Sequence, residues 1–161
     1  MYGIERETPA DSWEVEALYD LCFAPGREAL SSYRLREGVP PIAVLSLVAR
    51  DTDGIVAGAI RYWPVVVGGR NVLLLGPVAV HPTRQGEGLG DMLIRTSLDI
   101  AKDAGWERVM LVGDLPYYTR FGFEVLPDVV MPAPSNPLRV LGKSLVEDGW
   151  NGCTGDVCKI A

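Results

Sequence analysis

An apolar, strand-like run over residues 72–80 passes through His81-Pro82-Thr83-Arg84 into the turn Gln85-Gly86-Glu87-Gly88-Leu89-Gly90, and a helical pattern follows over 88–104. This junction constrains the chain more than any other stretch. Three glycines in five residues let the backbone take positive φ and lie close against a ligand. The first amides of a helix have no carbonyl partner and carry partial positive charge, so a strand–turn–helix of this kind suits a phosphate. The same glycines can also serve only to make a tight connection. A P-loop is excluded, because no Gly-Lys-Ser or Gly-Lys-Thr follows. Gly86, Gly88 and Gly90 also follow G-x-G-x-G spacing, which departs from the dinucleotide fingerprint.

The elements around the junction read as mixed α/β. Residues 4–7 form a short first strand, and a helix follows Thr8-Pro9-Ala10-Asp11, with Asp11 and Glu14 at capping-box spacing. Val15, Leu18, Tyr19 and Cys22 repeat at helical intervals and face the core. Pro25-Gly26 ends this helix, and a second is expected over 27–36. Runs 43–50, 55–67 and 72–80, separated by Asp51-Thr52-Asp53-Gly54 and Gly68-Gly69-Arg70-Asn71, predict an antiparallel three-strand meander. The helix over 88–104 carries a stripe of Leu89, Met92, Leu93, Thr96, Leu98 and Ile100, so strand 109–112 returns parallel to 72–80. A short helix over 115–121, a strand over 122–126 and a last strand near 155–160 complete one domain over 1–161.

Composition narrows the function. The net charge of −6, from 21 acidic and 15 basic residues, argues against a nucleic-acid partner. No stretch has the length of a membrane span or the layout of a signal peptide, so the expectation is a soluble cytoplasmic protein. Cys22, Cys153 and Cys158 are an odd set with no CxxC pair, and His81 stands alone; neither a disulfide framework nor a metal site is expected. Cys22 lies on the apolar stripe of the first helix and reads as packing rather than as a nucleophile.

Gln85-Gly86-Glu87-Gly88-Leu89-Gly90 resembles the (Gln/Arg)-x-x-Gly-x-(Gly/Ala) signature of the GNAT superfamily of N-acetyltransferases. Val78-Ala79-Val80-His81-Pro82 upstream and Tyr117-Tyr118-Thr119-Arg120-Phe121-Gly122-Phe123 downstream extend the likeness over residues 75–125. The resemblance is looser over 1–74 and after Pro127. It implies a GNAT fold: a mostly antiparallel central sheet, splayed mid-way and flanked by helices. It also implies acetyl-CoA as cosubstrate, a primary amine as acceptor, and a monomer or homodimer.

On that resemblance, Val78, Ala79 and Val80 would meet the pantetheine arm, and the amides of Gln85, Gly86, Glu87, Gly88, Leu89 and Gly90 would take the pyrophosphate. Arg84 is a candidate phosphate partner, and Phe121 and Tyr118 belong to the cofactor wall. Gly76-Pro77 stands where the strand must break from its neighbour, since proline removes a ladder donor and glycine often marks a bulge. Tyr118 matches the family's general-acid tyrosine; its ordinary pKa near 10 keeps it protonated at neutral pH. Leu73, Leu74 and Leu75 stand where some members carry a glutamate, which leaves the base open among water, His81 and Asp114. Glu28 and Asp20 lie nearer the acceptor entrance. An acyl-CoA-binding sensor, or a member without catalysis, is the alternative reading.

Overall fold

The computed structural model describes residues 2–23 and 31–160. Its centre is a mixed sheet whose main path runs β1-β2-β3-β4-β5-β8-β6, with β9 joined to the lower end of β3 and β7 joined to β9. The strands are β1 (Gly3–Arg6), β2 (Leu47–Arg50), β3 (Val56–Val67), β4 (Arg70–Val80), β5 (Arg108–Val112), β6 (Glu124–Val125), β7 (Val129–Val130), β8 (Val140–Ser144) and β9 (Gly155–Lys159). Pairing is antiparallel except for β4 with β5 and β7 with β9. The expected meander is β2-β3-β4.

Two helices cover the sheet. On one face, α3 (Leu89–Asp103) buries Leu89, Leu93, Ile94, Ser97, Leu98 and Ala101, a 3.6-residue stripe. It packs on Leu47, Ile60, Tyr62 and Leu73. On the other face, α1 (Ser12–Cys22) packs Val15, Leu18 and Tyr19 against Val48, Ala59 and Ala79. Leu47 against Val48, and Ala59 against Ile60, show the alternation of sides that a pleated strand imposes. Met92, expected in the α3 stripe, is 41% exposed; Ile94 and Ser97 take the inward positions.

Several boundaries differ from the sequence reading. Residues 43–45 form a 3₁₀ turn rather than the start of a strand, and Ser46 Oγ donates to the Ile42 carbonyl at 3.0 Å. The capping box lies one turn earlier than expected: Thr8 N donates to Asp11 Oδ2 at 2.8 Å, while Glu14 accepts from Val56 N at 3.0 Å. The expected helix over 115–121 is α4 (Leu115–Tyr118) followed by a 3₁₀ turn (Thr119–Phe121). Of the helix expected over 27–36, the structure gives α2 (Ser31–Arg34); residues 27–30, with Glu28, lie outside the described residues. β8 was not foreseen, because Pro137 and Gly142 break up the tail's apolar pattern. It pairs with the outer edge of β5 along five residues.

The feature that positions the site is a departure between β4 and β5. β4 runs for eleven residues, but it pairs with β5 only at Leu73–Val109 and Leu74–Met110. Above that, Gly76 and Pro77 together oppose the single residue Arg61 of β3, which makes a β-bulge. Both bulge carbonyls are held by side chains from the α1 face of the sheet. Trp63 Nε1 donates to Gly76 O at 2.8 Å, and the Tyr19 hydroxyl donates to Pro77 O at 3.2 Å. Beyond the bulge β4 follows β3 alone, and its other edge opens on a cleft.

Candidate active site

The open edge of β4 supplies backbone groups in a definite order. His81 N donates to Ala57 O at 2.8 Å, so His81 and Ala79 turn their main-chain groups toward β3. By the alternation of an antiparallel ladder, Val78 and Val80 turn theirs the other way, into the cleft. Part of that edge is already met, because Cys22 Sγ donates to Val80 O at 3.3 Å. This bond gives Cys22 a packing and hydrogen-bonding role. Burial pushes its thiol pKa up, which disfavours the thiolate a nucleophile needs.

At the upper end of the edge stands the glycine turn. Gly86 and Gly88 have φ of 87° and 81°, a left-handed conformation that side-chain-bearing residues adopt at a cost. Gly88 is the N-cap of α3, and no side chain caps the helix there. The amides of its first turn therefore face the cavity of about 480 Å³ that Val78–Val80, Gln85, Gly86, Gly88, Leu89 and Gly90 line with Tyr117 and Tyr118. Glu87 is exposed and accepts from the Tyr2 hydroxyl at 3.0 Å. Arg84 lies on the cavity wall, but its guanidinium is bound to Asp51 Oδ2 at 2.6 Å and to the Tyr2 hydroxyl at 3.1 Å. Its charge is thus largely answered within the protein.

A second cavity of about 320 Å³ lies below the first, between the bulge and the end of β5, and Val78 and Tyr118 line both. Tyr118 is therefore at the junction. Its ring lies so close to Gly113 that a Cβ there would stand 2.7 Å from it. Burial, with a smaller contribution from the Asp114 charge, pushes the Tyr118 phenol up to about 12 against the pull of Arg139. Among the described residues its hydroxyl meets no hydrogen-bond partner and is not sealed from solvent. Tyr117, by contrast, donates to Asp91 Oδ1 at 3.1 Å. Phe121 is 5% exposed in the core, with its ring 5.5 Å from that of Tyr117; it backs the tyrosines and lines neither cavity.

The base candidates separate. Asp114 lines the lower cavity and is exposed. His81 lines neither cavity; its Nδ1 accepts from Thr83 N at 3.2 Å and caps the Pro82–Arg84 turn. Asp20 is exposed on α1 outside both cavities. Among the described residues no group of three or more His, Cys, Asp or Glu could hold a metal ion, and no helix is long and apolar enough to cross a membrane.

A strand that leaves its parallel neighbour, followed by an uncapped helix start, recurs in a known family. The family model described as Acetyltransferase (GNAT) family matches residues 7–123. This chain belongs to the GNAT family. Like the rest of that family it is an acyltransferase, of the N-acetyltransferase type. It is 33% identical over 156 residues to the uncharacterized N-acetyltransferase YhbS of Escherichia coli, covering 94% of this chain and 92% of that protein. A crystal structure of that GNAT protein in complex with CoA superposes with a TM-score of 0.86 at 31% identity, over 99% of this chain and 89% of that one. A GNAT acetyltransferase from Brucella melitensis, solved in complex with acetyl-CoA, gives a TM-score of 0.77 at 32% identity, over 100% and 97%.

The GNAT motifs gave no sign of the rest of the lower cavity. Tyr33, within α2, Arg36, just after it, and Arg139, just before β8, line it as well. No spacing marks them, because they come from segments distant in sequence that meet only in the fold. The predicted helix over 27–36 was the sole available signal for Arg36.

Proposed function

We propose that this domain transfers an acetyl group from acetyl-CoA directly to a primary amine, in the cleft between β4 and β5. The observation that supports this best is the continuity of two cavities at Tyr118: one faces the free amides of α3, the other the bulge at Gly76-Pro77.

The residues present fit acetyl-CoA. The amides of Gln85 to Gly90 would take the pyrophosphate, and the main chain of Val78 and Val80 would pair with the pantetheine arm as a substitute for the missing β5 neighbour. The cosubstrate supplies a thioester, whose C–S bond breaks as the C–N bond to the amine forms. An N–H of β4 near Val78 stabilises the charge that develops on the carbonyl oxygen.

Two protons must be accounted for: the amine loses one and the sulfur gains one. Tyr118 serves the sulfur. With its phenol pushed up to about 12 and a thiol near 8.5, complete transfer from phenol to thiolate is uphill by about 3.5 pKa units, or roughly 5 kcal/mol. Tyr118 therefore donates a hydrogen bond as charge builds on sulfur, and the departing thiolate takes its proton from solvent. Asp114, the carboxylate lining this cavity among the described residues, receives the amine's proton through water.

The test is thiol release from acetyl-CoA with a panel of primary amines, alongside calorimetric titration of acetyl-CoA. Saturable binding with amine-dependent release supports acetyl transfer. Binding without release under any amine would instead favour an acyl-CoA-binding module, and no binding would overturn both.

A further inference from the structure

Arg36 is a half-buried cation with no carboxylate partner among the described residues. Its Nε is sealed from solvent and has no hydrogen-bond partner. Among the described residues no carboxylate forms an ion pair with its guanidinium, and burial pulls its pKa down, with Tyr33 the main opposing influence. The guanidinium lies over the Tyr33 ring at 3.7 Å and near the Trp63 ring at 4.9 Å. Such ring contacts, together with a side-chain hydrogen bond to Tyr33, offset part of the cost of desolvation, but they leave Nε without a partner.

Its place in the fold gives this a meaning. Arg36 lines the same cavity as Tyr118 and also an adjoining groove of about 360 Å³ with Tyr33 and Pro77. The neighbouring charges are otherwise engaged or exposed. Arg61 is bound to Glu7 at 2.7 Å and also to Glu16, Glu37 is exposed, and Arg139 is exposed beside Asp114 and Tyr118. For stability alone an apolar side chain at position 36 would serve at least as well, since taking a cation partly out of water without an ion-pair partner is costly. An anion entering the cavity would reverse that, because a carboxylate matches the guanidinium fork with two parallel hydrogen bonds.

We propose that Arg36 determines acceptor specificity and that the acceptor is a primary amine that also bears a carboxylate, with Arg36 holding the carboxylate while the amine faces the Tyr118 wall. This rests on the acetyl-transfer reading above. The carboxylate could belong to a free amino acid or to the C-terminus of a short peptide, and the chemistry at Arg36 is shared by both.

The experiment compares ω-amino acids of increasing length with their carboxamides, and lysine with lysinamide, as acceptors. Dipeptides and tripeptides with free or amidated C-termini distinguish the two sources. The carboxylate member of each productive pair should have a kcat/KM at least about tenfold higher, because a site built to pair a charged group rejects the analogue lacking it. Arg36→Gln should bring the ratio close to one, mainly through KM, with acetyl-CoA affinity changed less than about threefold. Arg36→Lys keeps the charge but loses the fork, and should retain an intermediate ratio. Where no amine turns over, calorimetric binding of the same pairs to the acetyl-CoA complex is the readout.

Equal use of amides and acids, an undiminished preference in Arg36→Gln, or no carboxylate amine either reacting or binding would overturn the proposal. Intact acetyl-CoA binding and amine-dependent thiol release in those cases would leave acetyl transfer standing. Loss of acetyl-CoA binding by the unmodified protein would sink both.

Discussion

The Tyr117 hydroxyl donates to Asp91 Oδ1 at 3.1 Å, which ties α4 to the first turn of α3 across the top of the cleft. Arg120 joins the same carboxylate at 3.1 Å. These bonds fix Tyr117 as a strut and leave its neighbour Tyr118, set edge-on with ring centroids 4.9 Å apart, as the phenol without a partner. The two adjacent tyrosines thus have different work, and substitution should separate them.

Tyr118→Phe should lower kcat by about 10²-fold or more, the scale of a lost hydrogen bond to charge that develops in the transition state, with acetyl-CoA affinity nearly unchanged. Tyr117→Phe should instead cost about 0.5–1.5 kcal/mol of stability for a hydrogen bond to a partly exposed carboxylate and weaken acetyl-CoA binding. Steady-state kinetics and urea titration of both variants check this. Equal loss of kcat in the two would contradict the division of roles.

Two glycines around the cleft should fail in different ways. Gly88 has φ of 81° at the start of α3, so Gly88→Ala costs about 1–2 kcal/mol of backbone strain. The turn can relieve that strain only by turning its amides away, and acetyl-CoA affinity should fall at least tenfold. At Gly113 the backbone is free of that constraint, but a Cβ would stand 2.7 Å from the Tyr118 ring. Gly113→Ala should therefore lower kcat while binding persists.

Within the core, Ser97 and Tyr62 share a hydrogen bond of 2.7 Å, and Ser97 Oγ also reaches Leu93 O at 2.7 Å. Ser97→Ala strands a buried phenol and should destabilise the protein by about 1–3 kcal/mol. Tyr62→Phe leaves Ser97 bonded to its own helix and should cost less. Denaturant midpoints of the two variants should keep that order, and the double variant should be more stable than the sum of the singles implies.

Burial raises the phenols of Tyr19 and Tyr62 well above their ordinary range, and those of Tyr117 and Tyr118 to about 12. Below pH 10 these groups are protonated in both folded and unfolded chains, so they make no pH-dependent difference. Between about pH 10 and 12 the unfolded chain ionises first, and stability should fall as pH rises. Phenolate absorbance followed through this window should rise in step with loss of near-ultraviolet circular dichroism. Full ionisation of all six tyrosines with the fold intact would be the contrary result.

Local patterns in the sequence were enough for the meander, the helix after the glycine turn and the parallel return of β5. Alternating strands, turn residues and 3.6-residue periodicity act over a few neighbours, so they can be read without the fold. Gly76-Pro77 marked the bulge for the same reason: both residues weaken a ladder on their own. The misplaced details have a common origin. Met92 gave way to Ile94 because the direction of the stripe depends on where α3 meets the sheet. Residues 43–45 turned rather than extended because Leu45 could be buried either way. β8 became legible only once its partner β5 was in place.

The sequence by itself determined that a strand runs into a glycine turn and a helix, with the motif of the GNAT family and a tyrosine pair downstream. Only the tertiary structure decided which tyrosine is free, because Asp91 and Tyr117 are 26 residues apart and their bond requires α3 and α4 to flank one cleft. It likewise paired Arg84 with Asp51 and Tyr2 and set His81 to capping, each through a partner outside the glycine-turn motif. Arg36 is the clearest case. One position in a helical stretch becomes a half-buried cation, without an ion-pair partner among the described residues, only when β3, α2 and the bulge of β4 close around it.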